Sequence, residues 1–406
     1  MTGTLAIEGG SPVRTRPLPG WPAPGEAAAR AVADVVRSGR INYWTGDQVR
    51  TFEERYAASL GRTHAIALAN GTLALELALR AFGVGPGDEV VVPARTFIAT
   101  ASAAVAVGAT PVIADVDRDS GCMTAATLAA ALSPKTRAVI PVHLGGWPAE
   151  MDPLLALARA HDLVVIEDAA QAHGGAYGGR AVGALGSHAA AFSFCNDKII
   201  STGEGGMLVL DDDEAYARAW AYKDHGKSLA LIHGPAPDEN TSTFRWLVES
   251  FGTNWRMPEV CAPLGLEGLD MLASWHEART RNAHRLAEAL RRLPGLRVPL
   301  PAEGTLSAFY RLYAYVVPGA IAPGWDRDRI VKAIAAEGIP GLSGSCGEIY
   351  REKAFASLGL GPATPLLVAA ELGATSLAFL VHPTMTDADV DDTAAAVAKV
   401  MAVAAP

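Results

Sequence analysis

The chain of 406 residues is poor in cysteine, with four in total: Cys122, Cys195, Cys261 and Cys346. No two of them form a CxxC pair, so the sequence indicates neither a structural zinc site nor a disulfide framework, and we expect no bound metal. Cysteines that stay reduced are typical of the cytoplasm, which is the compartment that we predict for this chain.

The chain also lacks an excess of positive charge, because 34 lysines and arginines stand against 43 aspartates and glutamates. The formal net charge of −9 argues against a general nucleic-acid-binding surface. No stretch reaches the roughly 18 apolar residues of a membrane span. The N-terminus lacks the basic start and apolar block of a secretory signal. We therefore expect neither nucleic acid nor a membrane as a partner.

From residue 64 onward, the sequence alternates regularly between apolar and amphipathic segments. Periodicity and turn residues predict strands at 64–70, 88–94, 110–117, 136–144, 163–169, 188–194 and 205–211, and helices at 71–83, 96–108, 125–133 and 150–162. Apolar strands that alternate with helices are typical of an α/β fold with a mostly parallel sheet, here of seven strands, covered on both faces. Ligands of such sheets bind at the carboxyl ends of the strands.

Composition and periodicity divide the chain into three parts. Residues 1–25 are rich in proline and glycine and predict an irregular N-terminal arm. Residues 26–280 contain the alternating pattern and predict a large domain, while residues 281–406 predict a smaller C-terminal α/β domain. A strongly amphipathic helix at 272–293 is expected to connect the two domains. The polar and aromatic stretch 222–258 has weak periodicity and is predicted to form loops.

Small and aromatic residues follow the first two predicted strands. Gly71 and Thr72 open a helix directly after the strand 64–70. A helix start offers free N–H groups and a dipole that favour an anion such as phosphate, although an ordinary helix cap explains the same pair. Phe97 follows the strand 88–94 and either covers a flat ring or packs in the core.

Charged residues end two later strands. Asp168 closes the strand 163–169, and a helical turn would place Gln171 on the same face. A buried carboxylate needs a cationic partner, unless Asp168 only caps a helix. Lys198 follows the strand that contains Ser193. A lysine at this place is either a surface residue on a turn or a Schiff-base lysine.

A phosphate site at a helix start, an aromatic cover, an acid and then a lysine together describe a site for pyridoxal 5′-phosphate. The chain resembles the DegT/DnrJ/EryC1/StrS family of sugar aminotransferases, a branch of the fold-type I pyridoxal-phosphate enzymes. The stretches that carry the resemblance include NGTLALELAL, GDEVVVPARTFIATASA, VIEDAAQAHGG, FSFCNDKIISTGEGGM and FGTNWRMPEV. The resemblance implies a large domain with a seven-stranded sheet and a smaller C-terminal domain.

The resemblance also implies roles for individual residues at a pyridoxal 5′-phosphate site. Lys198 is expected to bind the cofactor covalently as an internal aldimine. Asp168 is expected to pair with the pyridine nitrogen and Gln171 to bond the phenolic oxygen of the ring. Phe97 is expected to stack on the ring.

The expected phosphate ligands are Gly71, Thr72, Ser193 and Asn254. The resemblance places Asn254 on the other subunit, because the active sites of the family lie at the interface of a homodimer. Loop residues that would suit an anionic acceptor, or that only pack the loops, are Tyr43, Trp44, His225, Lys227 and Trp255. The residues 195–197 beside Lys198 have no role that the sequence indicates.

The activity implied by the resemblance is transfer of an amino group from glutamate or glutamine to a keto-sugar. The leading acceptor is a nucleotide-linked 3- or 4-keto sugar, in amino-sugar, antibiotic or polysaccharide biosynthesis. The opening stretch LAIEGGSPVRTRPLPGWP also resembles enzymes that aminate a keto-cyclitol of the scyllo-inosose type or that form an aminobenzoate. A pyridoxal-phosphate lyase or dehydratase is a further alternative, but the dehydratases of the family carry histidine in place of the lysine.

Overall fold

A computed structural model of the chain describes residues 4–233 and 247–405. The middle of the predicted loop stretch 222–258 therefore lies outside the described residues, as do the ends of the predicted arm and of the predicted C-terminal domain. Across the described ranges, no helix combines the length and the apolar character that crossing a membrane requires.

The regular elements follow the predicted alternation. The strands are β1 (His64–Leu68), β2 (Glu89–Pro93), β3 (Thr110–Ala114), β4 (Thr136–Val139), β5 (Val164–Asp168), β6 (Ala176–Tyr177), β7 (Arg180–Ala181), β8 (Ala189–Ser193), β9 (Gly206–Leu210), β10 (Leu296–Arg297), β11 (Thr305–Leu306), β12 (Leu312–Val316) and β13 (Ser376–Phe379). The α-helices are α1 (Glu26–Ser38), α2 (Gln48–Leu60), α3 (Gly71–Ala81), α4 (Ala99–Ala106), α5 (Ala125–Ala131), α6 (Met151–Ala160), α7 (Asp213–Lys223), α8 (Leu229–His233), α9 (Ala262–Leu290), α10 (Arg327–Ala336), α11 (Lys353–Ser357), α12 (Leu367–Thr375) and α13 (Asp387–Ala404).

The central sheet has seven strands in the order β1-β9-β8-β5-β4-β2-β3. All of them run parallel except β9, which pairs antiparallel with both of its neighbours. Strands β5 and β8 are buried along their whole length, as strands covered on both faces must be. The predicted α/β fold with a mostly parallel seven-stranded sheet is confirmed. The carboxyl ends of β5 and β8 meet at one edge of the sheet.

Two large apolar cores and one small cluster, which consists of Ile199, Ala308 and Tyr310, form within the described chain. The larger core surrounds the central sheet, and the smaller one surrounds β12 and β13 together with helices α10 and α13. Helix α9 is 29 residues long and contributes its C-terminal half, including Leu286 and Leu290, to the smaller core. Leu5 of the N-terminal arm is buried in that core as well. The domain boundary between residues 280 and 281 falls inside α9 and stays a prediction.

Helix α2 was not predicted from the sequence. Its buried apolar residues, Val49, Phe52, Tyr56 and Ala57, form a single stripe at helical spacing, and most of the other residues are polar, including the buried Glu53. The stripe is short and follows a turn-rich segment, so the helical period is weak. Helix α8 lies in the stretch 222–258 that was predicted to be loops, and that part of the prediction is wrong.

Strand β4 ends earlier than predicted, at Val139 instead of residue 144. Pro141 follows and has no N–H group to continue the ladder. Its carbonyl still accepts a hydrogen bond from the Asp168 N–H group at 2.9 Å, and Val142 forms an isolated bridge with Asp168. The chain therefore leaves the sheet beside the end of β5, where it forms one wall of the site described next.

Candidate active site

A cavity of about 1240 Å³ opens at the carboxyl ends of the central strands. This is the edge at which ligands of parallel sheets bind. Seven of the eight residues predicted for the site line it: Gly71, Thr72, Phe97, Asp168, Gln171, Ser193 and Lys198. Asn254 is not among the lining residues, and its expected place on another subunit stays a prediction.

The start of helix α3 forms one end of the cavity. Asn70 caps the helix, because its side chain accepts a hydrogen bond from the Leu73 N–H group at 3.0 Å. Gly71 and Thr72 are therefore not the cap. A methyl group on Gly71 would lie 2.8 Å from the Ser193 Cβ atom, so only glycine allows this close approach of helix and strand. The free N–H groups of the first turn suit an anion.

Ser193 ends β8 and is held by its neighbours on both sides. Its Oγ atom accepts a hydrogen bond from the Cys195 N–H group at 3.3 Å. Its carbonyl oxygen accepts one from the His173 Nε2 atom at 2.9 Å, while the Tyr56 hydroxyl donates to the His173 Nδ1 atom at 2.8 Å. In this arrangement the neutral ring donates through Nε2 and accepts at Nδ1. Burial lowers the pKa of His173 to about 4.

Because His173 is buried and neutral, we expect the free energy of unfolding to fall in acid, where the same histidine is protonated in the unfolded chain. The folded pKa lies below the ordinary value of 6.5, so stability is complete above pH 6.5 and is lost between pH 6.5 and about 4. Denaturant titrations from neutral pH to pH 4 should show a His173→Gln variant losing less unfolding free energy than wild type, by up to about 3 kcal/mol. His161→Gln, at an exposed position, is the control. Equal losses in wild type and His173→Gln would contradict this account.

Asp168 is buried at the end of β5. The Thr100 hydroxyl donates to its Oδ2 atom at 2.8 Å, and the Ala170 N–H group donates to Oδ1 at 3.2 Å. Burial raises the pKa of Asp168 despite these bonds. The next regular element is β6 and not a helix, so Asp168 does not cap a helix. A buried carboxylate at a cavity wall suits a cationic ligand group.

Gln171 and Phe97 complete the wall around Asp168. The Gly145 N–H group donates to the Gln171 Oε1 atom at 2.7 Å, so the amide nitrogen is the donor end of this side chain. Phe97 is 65% exposed, which contradicts the alternative that it packs in the core. An aromatic face exposed in a cavity suits a flat ring as its partner.

Lys198 lies opposite Asp168, on the loop between β8 and β9. Its side chain is only 16% exposed, so it is not a surface lysine. The Nζ atom lies 3.3 Å from the Asp197 Oδ1 atom and 3.4 Å from the Tyr310 hydroxyl. The Trp21 Nε1–H group donates to the Lys198 carbonyl oxygen at 2.8 Å.

The loop that carries Lys198 is closed by backbone hydrogen bonds at its base. The Phe194 N–H group donates to the Gly205 carbonyl at 2.8 Å, and the Thr202 N–H group donates to the Phe194 carbonyl at 2.9 Å. Cys195 and Gly203 form a further bridge between the two arms. Both ends of the loop are thereby fixed to adjacent strands of the central sheet.

Three residues at the site were not predicted from the sequence: Thr100, Asp197 and Tyr310. Thr100 lies one helical turn after Thr96, whose hydroxyl is 2.8 Å away, in the segment already singled out for Phe97. Asp197 directly precedes Lys198, and this adjacency was the available signal. Tyr310 is more than one hundred residues away in sequence, and no local pattern indicates its contact.

The residues considered for an acceptor site lie elsewhere in the described chain. Tyr43 is buried and donates to Glu53, Trp44 lies under the Lys227 ammonium, and Trp255 packs on Tyr222. None of these loop residues lines the cavity of this subunit as far as residues 4–233 and 247–405 show. For these described residues, packing of the loops is therefore a better interpretation than an acceptor site.

The site is suited to a flat, anionic cofactor with a basic ring nitrogen. A helix start receives the anion, an exposed aromatic face receives the ring, and a buried carboxylate receives the nitrogen. The opposite lysine can form an imine with an aldehyde. Together with the sheet topology, these groups define a pyridoxal-phosphate enzyme of fold type I.

The sequence pattern of the DegT/DnrJ/EryC1/StrS aminotransferase family matches residues 22–398. The chain belongs to this family and is a pyridoxal-phosphate-dependent aminotransferase that acts on small molecules. The resemblance predicted from the sequence is confirmed.

Similar proteins of the family act on sugars and cyclitols. The chain is 38% identical to the L-glutamine:2-deoxy-scyllo-inosose aminotransferase of Streptomyces paromomycinus, covering 83% of this chain and 80% of that protein. It is also 38% identical to the GDP-perosamine synthase of Caulobacter vibrioides, covering 86% and 89%. Among solved structures, an aminotransferase from Psychrobacter cryohalolentis is 45% identical with a TM-score of 0.91, covering 95% of this chain and 99% of that one. A 3-amino-5-hydroxybenzoic acid synthase is 30% identical with a TM-score of 0.83, covering 96% and 100%.

Proposed function

We propose that this aminotransferase moves an amino group from glutamate or glutamine to a nucleotide-linked 3- or 4-keto sugar, in amino-sugar, antibiotic or polysaccharide biosynthesis. The observation that carries the proposal is the single cavity that Lys198, Asp168 and Phe97 share at the strand ends. Pyridoxal 5′-phosphate supplies the electron sink of the reaction when it is bound.

Seven of the lining residues have a role toward the cofactor in this proposal. Lys198 forms the covalent bond to the cofactor aldehyde, and Asp168 keeps a proton on the ring nitrogen. Gln171 donates to the phenolic oxygen and Phe97 covers the ring. The phosphate is held by Gly71, Thr72 and Ser193.

Lys198 also moves protons in the proposed reaction. Once the amino donor has displaced it, the free Nζ atom would accept the proton from the α-carbon of the donor. The same nitrogen would return the proton on the cofactor side, and the steps would reverse for the keto acceptor. The position of the Nζ atom inside the cavity supports this role.

The size of the cavity, together with two cationic side chains besides Lys198 in a lining that also contains four carboxylates, supports a large acceptor that carries phosphate groups. Its volume of about 1240 Å³ lies above the usual range of about 300–1,000 Å³ for small-molecule pockets. Such a volume suits two ligands side by side, a cofactor and a nucleotide-linked sugar. Arg311 and Lys332 line the cavity on the side of the C-terminal part and are suited to phosphate groups.

A keto-cyclitol of the scyllo-inosose type is the second candidate acceptor. Several similar proteins at 35 to 38% identity are aminotransferases of scyllo-inosose compounds. The similar 3-amino-5-hydroxybenzoic acid synthase keeps an aminobenzoate product as a further alternative. A lyase or dehydratase activity is the third hypothesis. The lysine at position 198 argues against a dehydratase that carries histidine at this position.

A coupled assay with a panel of acceptors tests the proposed function. The purified enzyme is supplied with glutamate or glutamine and with nucleotide-linked 3-keto sugars, 4-keto sugars or scyllo-inosose. We expect kcat/KM for one nucleotide-linked sugar to exceed that for the cyclitol by at least about 100-fold, a difference of nearly 3 kcal/mol in transition-state binding. A preference for the cyclitol would overturn the choice of acceptor, and elimination without amine formation would indicate a lyase.

We also propose that the enzyme is a homodimer in which Asn254 binds the cofactor phosphate of the other subunit. In one subunit the Asn254 backbone pairs with Asp224, and the Arg256 N–H group donates to the Asn254 Oδ1 atom at 3.5 Å. This segment lies outside the cavity of its own subunit, which supports a role across an interface. Light scattering of the active enzyme tests the dimer, and an active monomer would refute it.

A hybrid dimer tests the position of Asn254. Asn254→Ala should weaken cofactor binding about tenfold, the effect of one hydrogen bond to a charged group. In a doubly tagged hybrid of Asn254→Ala and Lys198→Ala chains, only the Asn254→Ala chain can form the visible covalent complex. If Asn254 acts across the interface, that complex titrates with the wild-type Kd. Titration with the Kd of the Asn254→Ala homodimer would place Asn254 in its own subunit's site.

A further inference from the structure

Asp197, the residue directly before Lys198, contacts three polar side chains. The Tyr310 hydroxyl donates to its Oδ2 atom. The Lys198 Nζ atom lies 3.3 Å from Oδ1, and an Arg311 guanidinium nitrogen lies 3.6 Å from Oδ2. Its side chain is half exposed and lines the cavity. The carboxylate therefore lies beside the amine that the proposed function uses.

Tyr310 links the amine and the carboxylate a second time. Its buried hydroxyl accepts from the Lys198 Nζ atom at 3.4 Å while it donates to Asp197. Arg311 holds the tyrosine, because its guanidinium lies 4.2 Å from the centre of the ring and donates to the Tyr310 carbonyl at 2.9 Å. The result is a hydrogen-bonded triangle of amine, phenol and carboxylate.

We propose that Asp197, oriented by Tyr310 and Arg311, is a positioning residue that fixes the Lys198 nitrogen and stabilises a proton on it. This inference rests on the proposed covalent role of Lys198. An imine that is protonated on nitrogen is attacked at its carbon by an incoming amine more readily than a neutral imine, so a carboxylate at this place would favour exchange of the lysine for the donor.

The charges around Lys198 decide the sign of the effect. Asp197 and Asp168 favour a proton on the nitrogen, and Arg311 opposes it. His173, which also faces Lys198, is neutral above about pH 4 because burial lowers its pKa. Burial alone would raise the pKa of Asp197, but Lys198, Tyr310 and Arg311 outweigh burial and hold that pKa below its ordinary value. Asp197 is thus ionised at neutral pH and is the nearest carboxylate contact of the amine.

A spectrophotometric pH titration of the cofactor-loaded enzyme measures this effect without turnover. The visible band of the lysine-bound cofactor changes when the imine nitrogen loses its proton. Asp197→Asn keeps the shape and removes the charge, so we expect the midpoint of this change to fall by at least about one pH unit. Tyr310→Phe keeps the ring and removes only the hydroxyl, and we expect a smaller fall of about half a unit.

Glu204→Gln is the matched control, because Glu204 lines the same cavity and its side chain contacts the Cys195 thiol. We expect its midpoint to stay within about 0.3 unit of wild type, as for a distant screened charge. Equal shifts in Asp197→Asn and Glu204→Gln, or no shift in Asp197→Asn, would overturn the inference. If Asp197→Asn does not fold, an unchanged midpoint in Tyr310→Phe would overturn it instead. Absence of any visible band in wild type would refute the proposed function itself.

Discussion

Replacement of Lys198 by alanine is expected to remove the visible absorbance of the bound cofactor and to lower transamination by at least about 1,000-fold. Lys198 lines the same cavity as Asp168, so in the proposed reaction alanine would remove both the covalent bond to the cofactor and the proton carrier. Absorbance spectra and single-turnover kinetics with glutamate measure the two losses separately.

Two further variants define what this result means. Lys198→Arg keeps a positive charge but cannot form the imine, so it should be as inactive as alanine. Lys135→Ala removes an exposed lysine beside β4 and should leave both the spectrum and the turnover unchanged. Substantial turnover by purified Lys198→Ala enzyme would remove Lys198 from the centre of the mechanism.

Replacement of Asp168 by asparagine is expected to lower kcat by about 100- to 1,000-fold at saturating cofactor, the usual effect of removing one preorganised charge. Asparagine has the same shape, and its one amide oxygen can accept the hydrogen bond of Ala170 while its amide nitrogen donates to the Thr100 hydroxyl. It cannot hold a proton on the ring nitrogen as a carboxylate does. Steady-state kinetics with glutamate over a cofactor series separate loss of turnover from loss of binding, and an unchanged kcat would exclude this role.

Glu167, the neighbour of Asp168 on β5, is the control for loss of a buried carboxylate. It points to the opposite face of the sheet and accepts hydrogen bonds from Ser187 and from the Gly183 N–H group at 2.5 and 2.8 Å. Burial opposes its ionisation, but His143, Ser187 and Gly183 outweigh burial and lower its pKa. Glu167→Gln should cost about 2 kcal/mol of unfolding free energy and leave kcat largely intact.

The pKa of Asp168 is raised, whereas that of its neighbour Glu167 is lowered. This difference shows what the sequence could and could not predict. The rule that ligands bind at strand ends identified Gly71, Phe97 and Asp168, because each follows a recognisable apolar strand. The same rule says nothing about which of two adjacent carboxylates is satisfied internally. That distinction depends on Ser187 and His143, which reach Glu167 through the fold.

Contacts across long sequence separations were the other part that could not be predicted. Tyr310 reaches Lys198 only because the segment before β12 folds back over the cavity. Helix α2 was not predicted because its buried stripe is short. Strand β4 was predicted too long because the apolar run of the sequence continues past Pro141. In each case tertiary packing, rather than local periodicity, determines the outcome.

The closed base of the loop that carries Lys198 has a consequence for the reaction cycle. Because both arms of the loop are bonded to neighbouring strands, the main chain at Lys198 has little freedom, and the amine moves by rotation about its own side-chain bonds. In the proposed reaction, an amine displaced by a substrate would therefore remain tethered within reach. Well-oriented tethered groups can reach effective concentrations of about 10⁵ M or more, which no free amine in solution can match. The sheet would thus make return of the lysine, and release of the product, an intramolecular event.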